Sequence, residues 1–366
     1  IALGLNPNSI AISPDGTHLY VTSTYIDTVA VIDIAGGTQT AAIEVGVYPN
    51  GVTVSPDGLR VYTANTGSAS VTVIDTATNT VLDTIGVEAF PYHVAVSADG
   101  SRAYATNLGS ASVSVIDTAT DTLVRTLPGG QRPRGIASDG RHLFISEAPA
   151  DGLVIIDTTA TEPTRRIVLG KSPEGIGMSA DRRLIAAAVE ESNSVVLIDA
   201  ATRRKLADIK VRGKNPEHAV FSPDARWLLV SAEEAEQVDL IDVKARRQVA
   251  QIPVGKRPRG IGFTPDGRRA YVACELASAV YAIDMGSRQV IATIKAGTFA
   301  NGVTMAPDGS RAYVSNGKDG TVSVIRTADN QVEATLPVGK RPWNMAITPD
   351  GRKLYVANGR SNSVSV

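Results

Sequence analysis

The sequence is poor in the residues that usually carry chemistry. Of 366 residues one is cysteine, Cys274, and four are histidines. A lone cysteine excludes an intrachain disulfide and any cysteine-cluster metal site, and it fits either redox compartment. Aromatic residues make up 5% of the chain. No apolar run approaches the roughly eighteen residues of a membrane span. A net charge of −1 points neither to nucleic acid nor to an anionic membrane. A phosphate-cradling GxxxxGK(S/T), a zinc-binding HExxH, a GxSxG nucleophile elbow and a DxDxDG calcium loop are all missing. The chain opens on Ile1-Ala2-Leu3-Gly4-Leu5 without a charged, apolar leader.

What is present is a ruler. The segment SPDG, or a close variant, returns at 13–16, 55–58, 97–100, 138–140, 179–182, 222–225, 264–267, 306–309 and 348–351. Its aspartates are Asp15, Asp57, Asp99, Asp139, Asp181, Asp224, Asp266, Asp308 and Asp350, spaced by 40 to 43 residues. So strict a period makes the chain 1–366 one repeat architecture and one domain. Charge is uneven along it: residues 1–129 hold three basic residues against eleven acidic ones. The remainder holds 33 basic against 26 acidic. Drift between repeats accounts for this, although an acidic and a basic sector could also steer a charged partner.

The second repeat reads as four short strands, at 51–55, 60–64, 70–74 and 81–87, each bounded by turn residues. Pro56-Asp57-Gly58 makes a tight turn in which proline presets φ and glycine accepts a positive φ. Asp75, with Thr78, can accept from nearby backbone N–H groups and cap the next turn. Six counterparts recur at Asp33, Asp117, Asp157, Asp199, Asp242 and Asp284, and the pattern fails at Arg326. Seven similar aspartates are turn chemistry rather than seven active sites. No window sustains a 3.6-residue period, so helices are not expected. The fold predicted is all-β: a β-propeller of four-stranded antiparallel blades, whose sheets bury their faces by stacking on one another.

Phrases such as SPDGLRVYTANTGSASVTVIDTATNTV and TPDGRKLYVANGRSNSVSV resemble the YVTN-type β-propeller repeats of bacteria and archaea, over essentially the whole chain. The resemblance implies a WD40-like arrangement of blades in a periplasmic, secreted or cell-surface protein. Related propellers include surface-layer modules, lactonase-like enzymes and subunits beside quinone or haem oxidoreductases. Nine blades are counted; seven or eight would leave repeats unaccounted for. The ninth repeat stops after its third strand, and residues 1–5 read as a fourth strand, so the expected closure pairs the N-terminal strand with the last blade and removes exposed edges.

Function is sought where repeats differ. In such blades the loop entering the first strand and the loop between second and third strands share one face, at the channel mouth. The entry loops carry Asn8, Asn50, Tyr92, Arg134, Glu174, Glu217, Arg259, Asn301 and Trp343, followed by Ser9, Gly51, His93, Gly135, Gly175, His218, Gly260, Gly302 and Asn344. These two rings vary where the scaffold is not expected to constrain them. The ligand-binding candidates are Tyr92, His93, Arg134, Glu174, Glu217, His218, Arg259, Asn301, Trp343 and Asn344. His93 and His218 share a register as a metal or proton-handling pair would, but no third ligand completes a set, so they read as polar residues facing a wet channel. Arg134, Glu174, Glu217 and Arg259 would cradle an anion if unopposed. With Glu190, Glu191, Glu233, Glu234 and Glu236 nearby, they read instead as a neutralised rim suited to protein docking. Tyr48, Tyr92, Phe299 and Trp343 put aromatic anchors into the same loops; Trp227 reads as blade packing.

The expectation is therefore a monomeric binding scaffold outside the cytoplasm, with no cofactor required and metal, haem and quinone left open. It would take a protein or small ligand at the loop face, and neither nucleic acid nor a membrane span. The rival is a lactonase- or lyase-like enzyme, or a partner of a periplasmic oxidoreductase, using the mouth. The tryptophan-docking repeat of quinone-dependent alcohol dehydrogenases is absent.

Overall fold

A computed structural model describes residues 7–97, 99–129, 133–138, 142–147, 152–157, 165–348, 350–361 and 363–366. Among them there is no helix; the strands form nine antiparallel sheets, the blades of a β-propeller, one per repeat. Eight sheets hold four strands in sequence order. The expected clasp by residues 1–5 lies outside the described residues. By internal contacts the chain divides into two compact units, Ile1–Arg166 with Ser361–Val366, and Ile167–Arg360.

The second blade shows the local logic. Its strands are Pro49–Val54, Arg60–Asn65, Ser70–Asp75 and Thr80–Gly86. The first begins two residues before the expected 51–55, because Pro49 pairs opposite Asn65 across a bulge. Proline is tolerated as a leading strand residue, where no ladder N–H is demanded of it. The second and third strands are buried through their length, while the fourth is largely exposed.

The turn after the first strand explains the ruler. In the first repeat the Ser13 hydroxyl donates to Asp15 Oδ1 at 2.5 Å, and Asp15 Oδ1 accepts from the Thr17 N–H at 3.0 Å. Ser13 Oγ also accepts from the His18 N–H at 2.9 Å, and the Gly16 N–H closes on the Ser13 carbonyl at 2.8 Å. The same hydroxyl-to-carboxylate bond recurs at Ser55, Ser97, Ser179, Ser222, Thr264 and Thr348. Ala306 has no hydroxyl, and there Asp308 is held by Ser310 alone. Asp139 lies outside the described residues. The aspartate after the third strand caps its own turn, as where the Thr78 N–H donates to Asp75 at 2.8 Å. At the one exception, Arg326 pairs with Asp329 at 3.2 Å.

Blades stack through shared apolar layers. In the first unit one cluster joins Tyr20, Val29 and Val31 of one blade to Val52, Val61 and Ile74 of the next. In the second unit Leu229, Val238 and Leu240 meet Ile261, Val272 and Cys274 in the same way. Each such side chain contributes about 1.5–3 kcal/mol by leaving water. Tyr20, Tyr62, Tyr104 and Tyr271, at matching positions of their second strands, are almost fully buried. Trp227 is buried as expected, between the guanidinium groups of Arg226 and Arg288 at 4.8 and 4.9 Å from its ring. Cys274 is buried too, and burial pushes its thiol up to about 12, so it is not a nucleophile at neutral pH.

Neighbouring first strands approach so closely that glycine is required where sequence reasoning saw free variation. A Cβ on Gly260 would lie 2.3 Å from the Asn301 carbonyl oxygen, and one on Gly302 would lie 2.8 Å from that of Trp343. Gly51 and Gly175 face the next first strand at similar range. The second residue ring is thus partly dictated by packing.

Two outcomes follow from these contacts. Gly260→Ala is expected to lose about 1–3 kcal/mol of stability from backbone displacement, whereas Gly86→Ala, with open space around its Cβ, should change it by less than about 0.5 kcal/mol; urea unfolding midpoints distinguish the two. The Ser13 hydroxyl and Thr17 lower the Asp15 carboxyl from 3.8 to about 2, and Asp57, Asp99, Asp181, Asp224 and Asp266 are lowered by the equivalent bonds. Carboxyls depressed in the folded state stabilise it above their unfolded pKa, and that contribution is lost as pH falls through the folded value. Stability should therefore decline between about pH 4 and pH 2, and Asp57→Asn should flatten that decline in denaturant titrations at stepped pH.

Candidate functional site

The loop face is built by one repeated backbone device. Among the described residues, the one before a first strand is left-handed although it is not glycine: Tyr48, Phe90, Ser172, Asn215, Arg257, Phe299 and Arg341, with φ from 53° to 60°. Such a conformation costs on the order of 1–2 kcal/mol for an L-residue. It turns the carbonyl toward the loop between second and third strands of the same blade. There it accepts from the N–H of Thr66, Leu108, Glu190, Glu233, Glu275, Gly317 and Gly359 respectively, at 2.9–3.1 Å. Both loops are therefore held together at one end of each blade, and the left-handed side chain is displayed beside them.

In the first unit the described displayed residues, Tyr48 and Phe90, are aromatic, and Tyr25 joins them from the loop between second and third strands of the first blade. Tyr25 is 64% exposed, Tyr48 48% and Phe90 57%. Tyr25 and Tyr48 meet edge to face at 6.1 Å, and exposed Ile26 and Val47 flank them. Tyr92 packs edge-on against the His93 ring at 4.8 Å. Burial holds the His93 imidazole below its usual range, which favours the neutral ring at pH 7. The His93 N–H donates to Thr106 Oγ1 at 3.2 Å. This is an amphipathic, largely uncharged surface.

The second unit displays charge. Arg259, in the first strand Pro258–Phe263, is only 14% exposed and uses all three guanidinium nitrogens. Nη1 pairs with Glu217 of the preceding blade, Nη2 with Glu233 at 3.1 Å and Nε with Glu275 at 3.2 Å. Arg257 pairs with Glu233 as well, and with Glu275 at 3.4 Å. Two cations thus hold three carboxylates. Of the residues singled out in sequence, the structure joins Glu217 to Arg259; Glu275 was not anticipated, since only its position after a second strand marks it. His218 is exposed, and its N–H donates to Ser231 Oγ at 3.2 Å. Arg134, Glu174 and Asn344 lie in the first strands Pro133–Ser138, Pro173–Met178 and Pro342–Ile347, and their side chains fall outside what is described. Among the described residues no group of three or more His, Cys, Asp or Glu is placed to hold a metal ion.

Beyond this network a cavity of about 620 Å³ opens among the loops of the last two blades. Asn301 and Trp343 line it, together with Phe299, Lys318, Asp319, Lys340, Arg341, Arg360 and the edge of Glu275. Lys318 lies over the Phe299 ring at 5.6 Å, and Arg341 over the Trp343 ring at 4.8 Å. Asp319 accepts from the Thr298 N–H at 2.6 Å. Lys318, Arg341 and Arg360 carried no signal in the sequence, because lysine and arginine in loops are ordinary. Only the alignment of three loops shows them converging.

The family model "Lactonase, 7-bladed beta-propeller" matches residues 219–366. No curated protein matches the sequence. Among solved structures, the chain is similar to the dihydro-heme d1 dehydrogenase NirN in complex with DHE, at 18% identity and a TM-score of 0.66, covering 90% of this chain and 74% of that one. It is also similar to Kuenenia stuttgartiensis hydrazine synthase, at 23% identity and a TM-score of 0.55, covering 90% and 97%. At these identities the likeness shows the fold, whose uses are many.

Removing Arg259 leaves the half-buried Glu217 without a cation and Glu233 and Glu275 on Arg257 alone. Arg259→Met is expected to cost about 3 kcal/mol, and adding Glu275→Gln should recover part of that loss; paired thermal unfolding curves of the single and double variants measure the difference.

Proposed function

We propose that this protein is a non-catalytic binding propeller that works outside the cytoplasm and engages a protein partner or small ligand through its loop face. The carrying observation is the exposed aromatic set Tyr25, Tyr48 and Phe90 on loops held by backbone bonds. Exposed, pre-ordered aromatics bury much area at little entropic cost, which is how interface anchors work. The state of the carboxylates supports the same reading. Glu217, Glu233 and Glu275 are each engaged by Arg259, which holds them as ion-paired carboxylates. The reading needs no cofactor and takes the propeller as one working domain.

A hydrolytic reading draws support from one observation, the lactonase model matched over residues 219–366. It would place the reaction among the loops of the second unit, where Glu217 and Arg259 meet. Two measurements separate the readings. A photo-crosslinking residue placed at position 48 or 90 in the producing organism should give a discrete adduct, and one at Leu59, exposed in a turn at the opposite end of its blade, should not. Lactones should show no proton release above background with the purified protein. Lactone turnover that disappears in Glu217→Gln would replace the binding reading with the hydrolytic one.

A further inference from the structure

The geometry points to the cavity of the last two blades as a binding site for a small aromatic carboxylate, an inference that rests on the loop-face reading and names the ligand class of one part of it. Two aromatic rings, Phe299 and Trp343, line a space of about 620 Å³, within the range of small-molecule sites. Both stand at fixed places: Phe299 is one of the left-handed residues, and the Trp343 carbonyl accepts from Ser315 Oγ at 3.0 Å. The backbone carrying both rings is therefore set before binding.

The charge balance gives the sign of the ligand. Of the two carboxylates at the cavity, Glu275 is held by Arg257 and Arg259, and Asp319 is turned onto the Thr298 N–H. Among the described residues, no carboxylate pairs with Lys318, Arg341 or Arg360. Lys318 and Arg341 instead rest on the two rings. A cation on a ring keeps its remaining donors directed outward, and a guanidinium presents a fork that fits a carboxylate. The side-chain amide of Asn301, at the same wall, adds a neutral donor and acceptor. A flat apolar body between the rings, with one carboxylate toward Arg341 and Arg360, satisfies both kinds of wall.

Calorimetric titration of the full chain with 2-naphthoate, 2-naphthamide and acetate tests this. None of these probes has a lactone to open, so the result is independent of any turnover. The expected result is saturable one-to-one binding of 2-naphthoate, with the amide and acetate each weaker by roughly tenfold or more, since a charge-assisted contact or a ring contact is lost in turn. Arg341→Met and Trp343→Ala should each weaken 2-naphthoate by roughly tenfold, while Lys210→Met, in a fourth strand, should not change it. Unfolding midpoints within about 2 °C of the parent show that the variants are folded, and Arg360→Met provides a second cation variant if one is not. Equal affinity for naphthoate and naphthamide, or unchanged affinity in the folded Arg341→Met and Trp343→Ala proteins, overturns the assignment, as does the lack of saturable 2-naphthoate binding.

Discussion

The loop face depends on a single hydrogen bond repeated along the chain. In seven blades, among the described residues, a left-handed, non-glycine residue before the first strand turns its carbonyl onto an N–H eighteen residues later, seen from Tyr48 to Thr66 through Arg341 to Gly359. Each instance stores unfavourable backbone energy and recovers it in a bond that closes one end of a blade. Because the bond is between backbone groups, it places no demand on the side chain. The position can therefore carry tyrosine, phenylalanine, serine, asparagine or arginine without loss of the scaffold. Loops held this firmly can vary in chemistry while staying in place, and that is what a binding surface requires.

The opposite end of each blade works by the contrary rule. There the side chains of Ser13 and Asp15, and their equivalents, form the turn, so the residues must repeat. The two ends divide the labour: one is spelled in side chains and is monotonous, the other is spelled in backbone and is free to differ. Among the described residues the recurring aspartates belong to the monotonous end, and their lowered pKa values reflect turn hydrogen bonds rather than reactivity. The chemistry of interest lies at the variable end, with aromatics in the first unit and an arginine–glutamate network beside a cationic, aromatic cavity in the second.

Much of this was legible. The aspartate ruler gave the blade number and the register that aligns Glu217 with Arg259 one repeat later, and their neutralising role follows from residue type. Other parts were not. Gly260 and Gly302 looked like free positions until the next first strand was found within contact distance of their Cβ directions. Of the left-handed residues that the backbone displays, Tyr48 and Phe299 stood out as aromatic anchors, whereas Phe90 and Arg341 did not. Glu275 and Lys318 sit in loops of ordinary composition and gain meaning only from the neighbouring blade.

The sequence by itself determined the all-β repeat, its period, its turns and the end of the blade at which variation gathers, because those depend on contacts within about forty residues that every repeat restates. The tertiary structure alone decided which charges are spent and which are available. Arg259 and Arg341 are the same residue type in equivalent loops, yet one is enclosed by three carboxylates and the other rests on a tryptophan facing a cavity. That difference depends on side chains from adjacent blades meeting in space, and distances across blades have no counterpart in the order of residues along the chain.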